Sequence, residues 1–233
     1  MGRYFKFESG IHVIGSAALK PVLRMMKTTN KAYAERIAKE FDGILPYHEV
    51  FYIRSIWFAA DRALRAFHRF SEGLQDDSES PHLVSSLQEA ISHCAAISRF
   101  FWPSVSDTLA VTRGKTLCDA FQITEDNLLR SRAMRNHVEH FDERLDRFLS
   151  GDPMGQLCDF VVGSSDLVDQ EATHVMLLVD PEAQVFVLFG EKYHFAGLVD
   201  CVHSVRAAAS RMDSEGGRLK SKADRLPETK DPA

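Results

Sequence analysis

The chain has 233 residues, 45% of them hydrophobic and 26% charged, with a formal net charge of −5. This composition is typical of a globular protein with one sizeable core. The acidic balance excludes nucleic-acid binding driven by overall charge, so any such contact needs a local basic site. The sequence has neither a membrane-spanning apolar run nor a secretory signal pattern, and we therefore expect a cytoplasmic protein without membrane contact.

The four cysteines are widely spaced, at Cys94, Cys118, Cys158 and Cys201. None forms a C-x-x-C pair, which excludes a zinc ribbon and a thioredoxin-type motif. In a cytoplasmic protein we expect reduced thiols, most of them packed in the core.

The first 41 residues give an ambiguous pattern. Residues 4–14 fit either a small hairpin or a frayed lead-in to a helix, and 16–41 are predicted to be helical with interruptions near Pro21 and Asn30.

The next two helices are clearer. Apolar residues recur every three or four positions after Pro46, which predicts an amphipathic helix of roughly 25 residues.

The first long helix is predicted to end at Gly73 and the acidic loop that follows it. Ser80 and Pro81 then predict the start of a second long helix, which Pro103 stops. The predicted core residues of the two helices are Val50, Ile53, Trp57, Ala60, Leu64 and Phe67 on the first, and Leu83, Leu87, Ile91, Ala95 and Phe101 on the second.

The rest of the chain predicts helices and one pair of strands. A short helical piece at 115–121 precedes a helix from Thr124 to about Leu149, which glycine and proline end. A loop-rich stretch at 151–172 leads to two strands, 174–179 and 184–189, in a β-hairpin. A last helix at about 193–212 follows.

The predicted fold class is therefore mainly α: an up-and-down helical bundle with a small antiparallel β-hairpin in the C-terminal third. Residues 1–212 are expected to form a single domain. Residues 213–233 are expected to form a disordered tail that can be removed without loss of stability, because they are charged and offer few apolar side chains.

One segment of the predicted 124–149 helix carries residues suited to chemistry. Its apolar side chains, Met134, Val138, Phe141, Leu145 and Phe148, fall on one side, which is expected to face the core. Asn136 lies on the opposite, polar side, and Arg135 and His140 flank that polar face. Asn136 and His140 are four residues apart, which makes them surface neighbours on a helix.

The run Arg135-Asn136-His137-Val138-Glu139-His140 resembles the R-N-x-x-x-H signature of the HEPN superfamily, whose helical-bundle domains carry this motif on a late helix. The resemblance covers roughly residues 30–150. It implies a homodimer in which two copies of the motif meet across a two-fold axis. It also implies metal-independent endoribonuclease activity in many members, while others are inactive scaffolds or RNA-binding modules. The β-hairpin and the last helix lie outside this pattern.

The residue types suit RNA cleavage. The ribose 2′-OH must lose a proton and the leaving 5′-oxygen must gain one, and an imidazole does either task near neutral pH. A guanidinium meets the charge that builds on the phosphoryl oxygens. The candidate catalytic residues are therefore Arg135, Asn136 and His140, with Arg130, Arg132 and His137 as weaker RNA-binding candidates and with no metal or cofactor. The expected product is a 2′,3′-cyclic phosphate.

Other interpretations stay open. Arg135 and Glu139 have the spacing of an ordinary ion pair on a solvated helix face, and the chain would then be a non-catalytic helical dimer that binds RNA or a protein partner. A metal-binding bundle is a third hypothesis, although His137, Glu139 and His140 do not match H-E-x-x-H. A nuclease of this kind would be a toxin or a defence component. If the chain is a toxin, the expected partner is an antitoxin protein.

Overall fold

The computed structural model describes residues 30–131, 140–151 and 154–219. The described chain is mainly helical, with a small four-stranded mixed sheet in its C-terminal part. The helices are α1 (30–40), α2 (Glu49–Gln75), α3 (Ser80–Phe101), α4 (Thr108–Phe121), α5 (Phe141–Ser150) and α6 (Leu198–Ser214). The strands are β1 (Gln156–Val162), β2 (Thr173–Asp180), β3 (Val185–Leu188) and β4 (Glu191–His194). No helix of the described ranges has the length and apolarity needed to cross a membrane.

The α2–α3 pair forms the centre of the fold. The α2 residues that turn inwards include Ala60, Ala63 and Ala66, all with no exposed surface, and these small side chains let α3 approach closely. Leu87 and Ile91 of α3 fill the space against them. The predicted core of α3 is confirmed, since Leu83, Leu87, Ile91, Ala95 and Phe101 are all buried. On α2, Ile53, Ala60 and Phe67 are buried, whereas Val50, Trp57 and Leu64 are half-buried.

The sheet has the order β1-β2-β3-β4, with β1 parallel to β2 and the other pairs antiparallel. The predicted strand pair at 174–189 is thus part of a larger mixed sheet. Sequence reasoning missed β1 because this edge strand alternates poorly between exposed and buried residues. It also missed β4, which has four residues and buries only Tyr193 among them. The predicted last helix begins later, at Leu198, because β4 occupies 191–194 and Gly197 adopts a φ of 75°.

A buried carboxylate closes the turn between β2 and β3. Asp180 accepts one hydrogen bond from the Ala183 amide, at 2.9 Å, and one from the Ser165 amide, at 2.7 Å. The Ala183 and Ser165 hydrogen bonds lower the pKa of Asp180, because they stabilise the charged carboxylate. Asp180 therefore ties the turn to the β1–β2 connection.

The predicted continuous helix from Thr124 to Leu149 is wrong in its first part. A single 3-10 turn covers Leu128–Arg130, and Asn127 caps it by accepting a hydrogen bond from the Leu129 amide at 3.0 Å. The turn ends at Ser131, whose ψ of 106° is not helical. This local capping competes with helix formation. Among the described residues that follow Ser131, α5 covers Phe141–Ser150.

The predicted tail also begins too early. Residues 213–219 fold back onto the start of α2, where the Leu219 amide donates to Glu49 Oε2 at 2.9 Å and the Arg218 guanidinium lies 2.9 Å from the same oxygen. Gly216 and Gly217, with φ of 101° and 70°, provide the backbone turn that makes this possible. Residues 220–233 lie outside the described residues.

Candidate functional site

Of the three predicted catalytic residues, His140 is the one that the structure describes. It precedes α5 as its N-cap residue, with a non-helical φ of −116° and ψ of 44°, and its carbonyl accepts from the Arg144 amide at 3.1 Å. The predicted geometry, with His140 inside a helix, is therefore wrong. The imidazole is 54% exposed, and its Nδ1 lies 3.6 Å from Glu143 Oε1.

The pairing of His140 with Glu143 has a chemical consequence. At 3.6 Å the two groups are too far apart for a hydrogen bond, and their charges attract each other only when the imidazole carries a second proton. A carboxylate beside Nδ1 favours the tautomer that carries its proton on Nδ1. The Nε2 lone pair is then the one suited to accept a proton, and hydrogen bonds of catalytic groups often tighten only when substrate binds.

Contacts with the sheet position α5. The Phe189 ring lies between two α5 rings, with its centroid 5.0 Å from that of Phe141 and 5.4 Å from that of Phe148. Arg144 Nη1 lies 3.1 Å from Glu191 Oε1 on β4. These contacts fix the helix that follows His140, while leaving the imidazole itself at the surface.

A hydrogen-bonded group on β4 supports the Arg144–Glu191 pair. The Tyr193 hydroxyl donates to Glu191 Oε2 at 2.6 Å. Burial and this hydrogen bond raise the pKa of Tyr193 well above its usual value, so that the phenol stays protonated and continues to donate. Glu191 is thus oriented by a donor on its own strand.

The other predicted site residues divide into two sets. Arg130 forms an ion pair with Glu125, and its Nη1 donates to the Glu125 carbonyl at 3.2 Å. Glu125 therefore balances the charge of Arg130 one to one, which leaves no surplus for the basic strip that the sequence suggested with Arg132 and Arg135. Four predicted site residues, Arg132, Arg135, Asn136 and His137, lie outside the described residues.

Sequence reasoning missed a second surface, on the outer side of α2. Phe51 is 65% exposed and Phe58 is 57% exposed, although both are large apolar side chains. A cavity of about 600 Å³ lies between them. Its lining residues are Phe51, Arg54, Ser55, Trp57, Phe58 and Asp213. The sequence signal that could have found this surface is the position of Phe51 and Phe58 off the apolar stripe that predicts the core.

The exposed outer face continues from these aromatic residues into a run of arginines. We call the side chains of this face the α2 strip: Phe51, Ser55, Phe58, Arg62, Arg65 and Arg69. Their spacing of three or four residues places them in one line along the helix. The Arg62 guanidinium carbon lies 5.6 Å from the centroid of the Phe58 ring, within range of a cation–π interaction.

Two carboxylates near the α2 strip are each shared by two guanidinium groups. Asp61 lies 2.7 Å from Arg65 and 3.0 Å from Arg206 of α6. Glu89 of α3 lies 2.5 Å from Arg69 and 3.8 Å from Arg62. Four formal positive charges thus meet two negative ones, and Glu72, three residues after Arg69, adds a third negative charge. The strip carries an excess of positive charge in a chain whose net charge is −5.

His93 of α3 lies beside the same cluster. Its Nε2 accepts a hydrogen bond from Arg62 Nε at 3.3 Å. Burial and the positive charge of Arg62 lower the pKa of His93, against the opposing effect of Glu89. His93 is therefore biased towards its neutral form and does not add to the positive charge of the strip.

The described residues contain no group of three or more His, Cys, Asp or Glu side chains arranged to hold a metal ion. Comparison with protein-family models, with curated proteins and with solved structures finds no match for this chain.

Proposed function

We propose that the chain is a metal-independent endoribonuclease of the HEPN-like type, built as a helical-bundle homodimer and working without a cofactor. Arg135, Asn136 and His140 are its catalytic residues. The observation that carries the proposal is the position of His140, which is exposed, lies just before α5 and faces a carboxylate through Nδ1. This arrangement supports a role in proton transfer rather than in packing.

In the proposed reaction the ribose 2′-oxygen attacks the adjacent phosphorus while the bond from phosphorus to the 5′-oxygen breaks. Histidine takes the proton of the 2′-OH or gives one to the leaving 5′-oxygen. Arg135 stabilises the charge on the phosphoryl oxygens, and Asn136 orients the histidine or binds a phosphate oxygen. In the proposed homodimer, two-fold symmetry brings two copies of these groups to one cleft.

The cellular role that fits this chemistry is that of a cytoplasmic toxin or defence component. Uncontrolled RNA cleavage harms the cell that makes the enzyme. A toxin of this kind therefore requires an antitoxin protein as its partner.

The test is cleavage of a labelled RNA in EDTA by the wild-type chain and by His140→Ala and Arg135→Ala. We expect the wild type to cut RNA to 2′,3′-cyclic phosphate ends, and each variant to lose about 10²-fold or more in rate. A deoxyribose at the cleaved position should stop the reaction. Loss of activity in EDTA with recovery on adding a divalent metal, or equal cleavage of DNA, would contradict the proposal.

A second candidate function is favoured by the exposed phenylalanines of α2. A non-catalytic helical dimer that binds RNA or a protein partner needs such a surface and has no need of His140. If the wild-type chain binds RNA tightly in the same assay and does not cleave it, the result favours this function over the endoribonuclease.

A further inference from the structure

Phe51 and Phe58 form a pair of exposed aromatic platforms. They are seven residues apart on α2, which is close to two helical turns, so both point to the same side about 10.5 Å apart along the axis. Exposing two large apolar rings to water is unfavourable, and clustered exposure of this kind marks a binding surface. Any partner therefore has to offer flat or apolar groups at this end of the strip.

The other end of the strip specifies the charge of the partner. Arg62, Arg65 and Arg69 follow Phe58 along the same line. With Arg206 they outnumber the carboxylates of Asp61, Glu89 and Glu72 by one charge. At the aromatic end, Arg54 and Asp213 cancel each other at 2.9 Å. A partner that covers the whole strip must therefore be anionic as well as flat-faced.

A second copy of this chain meets these requirements poorly. A symmetric dimer through the α2 strip would place two copies of the surplus positive charge in one interface, whatever the register of the two helices. Single-stranded nucleic acid supplies both missing features, because its bases stack on aromatic rings and on guanidinium planes while its phosphates pair with arginines.

We propose that the α2 strip binds single-stranded nucleic acid, with bases stacked on Phe51 and Phe58 and phosphates held by Arg62, Arg65 and Arg69. The inference rests on the proposed function for RNA as the natural ligand, since nothing in the strip itself reads a 2′-hydroxyl. It adds to that function a holding surface on a different helix from the catalytic histidine.

The experiment measures fluorescence anisotropy of labelled 12-residue oligouridylate and oligothymidylate with the full chain carrying His140→Ala, in EDTA. This background keeps the RNA intact, so binding is read independently of cleavage. Phe51→Ala with Phe58→Ala should weaken binding at least about 25-fold, from about fivefold or more per stacked base. The matched control is Phe160→Ala, which removes a partly exposed phenylalanine from β1 and should leave the Kd unchanged.

The arginines are tested by the salt dependence of the same Kd. Replacing Arg62, Arg65 and Arg69 with Gln should reduce the slope of log K against log salt by about 2, since each lost phosphate contact on a single strand contributes about 0.7. Arg36→Gln on α1 is the control and should leave the slope unchanged. Thermal unfolding followed by circular dichroism identifies the temperature range in which every variant is folded, and binding is measured within that range.

The outcomes separate the proposals. Binding that depends on the strip supports this inference with either oligonucleotide, and it does so even if the wild-type chain never cleaves RNA. Absence of binding, or binding that both sets of substitutions leave intact, overturns it. A wild-type dimer that Phe51→Ala with Phe58→Ala dissociates in sedimentation velocity, without any oligonucleotide binding, overturns it in favour of a second copy as the occupant.

Discussion

The α2–α3 pair and α5 are both amphipathic, yet they occupy different places in the fold. The inward faces of α2 and α3 are fully buried against each other, against α6 and against the sheet. None of the ten residues of α5 is fully buried, and its contacts with the sheet pass through two half-buried rings and one ion pair. An apolar stripe therefore indicates that a helix is amphipathic without indicating how much of the fold depends on it. Among the described α-helices, the one that follows His140 contributes no fully buried residue to the core.

The largest expected difference between α3 and α5 is in the effect of a leucine-to-alanine substitution on stability. Leu87 of α3 has no exposed surface, whereas Leu149 of α5 is 51% exposed. We expect Leu87→Ala to lower the free energy of unfolding by about 2–5 kcal/mol, because it removes buried contacts and leaves a cavity. Leu149→Ala should change it by no more than about 0.5 kcal/mol. Urea denaturation measures both, and equal losses would show that α5 supports the core as much as α3 does.

A second prediction concerns the buried carboxylate of Asp180. Asp180→Asn should cost about 1–3 kcal/mol at pH 7, because each carboxylate oxygen accepts one amide and an asparagine can keep only one of these hydrogen bonds. The folded pKa of Asp180 is lowered, so its stabilisation is present above the unfolded pKa of about 3.9 and disappears as pH falls through the folded value.

The measurement is the free energy of unfolding of wild type and Asp180→Asn between pH 7 and pH 2. We expect the difference between the two proteins to shrink as the pH falls below about 4. A difference that is constant over this range would contradict a role for the charge.

A smaller effect on stability is expected from removing residues 213–219, which contact the start of α2. A chain that stops at 219 keeps the contacts of Leu219 and Arg218 with Glu49, and a chain that stops at 212 loses them. We expect the shorter chain to be less stable than the longer one by about 1–2 kcal/mol. One charge-assisted hydrogen bond is typically worth about 1.5 kcal/mol or more, and exposed ion pairs add less than about 1 kcal/mol. Equal thermal midpoints would show that residues 213–219 contribute nothing to stability.

The long helices were predictable because their signals are local. A proline lies near the start of α2 and another at the start of α3, and each indicates where its helix begins. Apolar residues at every third or fourth position indicate the inward faces of both helices. The bounds of α4 were harder to predict, since its first turn begins at Asp107, whose side chain accepts a hydrogen bond from the Ala110 amide. That cap falls eight residues before the start predicted at 115.

The parts that sequence reasoning missed depend on tertiary contacts. β1 is recognisable through its parallel pairing with β2, which joins residues 17 positions apart and is not visible in the local sequence pattern. The docking of 213–219 depends on Glu49, about 170 residues away. At the candidate site the motif predicts His140 as a candidate residue, but it does not predict that His140 lies just before a helix. Phe51 and Phe58 were overlooked because the periodicity of α2 is read from its buried side.

The central claim is that His140 serves chemistry and not the fold, and one variant tests it with two readouts. The rate of RNA cleavage in EDTA and the free energy of unfolding are measured for His140→Ala, with His194→Ala on β4 as an exposed histidine control. We expect His140→Ala to lose about 10²- to 10⁴-fold in cleavage rate while its stability stays within about 0.5 kcal/mol of wild type, and His194→Ala to change neither. Unchanged cleavage, or a loss of cleavage that simply follows a loss of stability, would contradict the account.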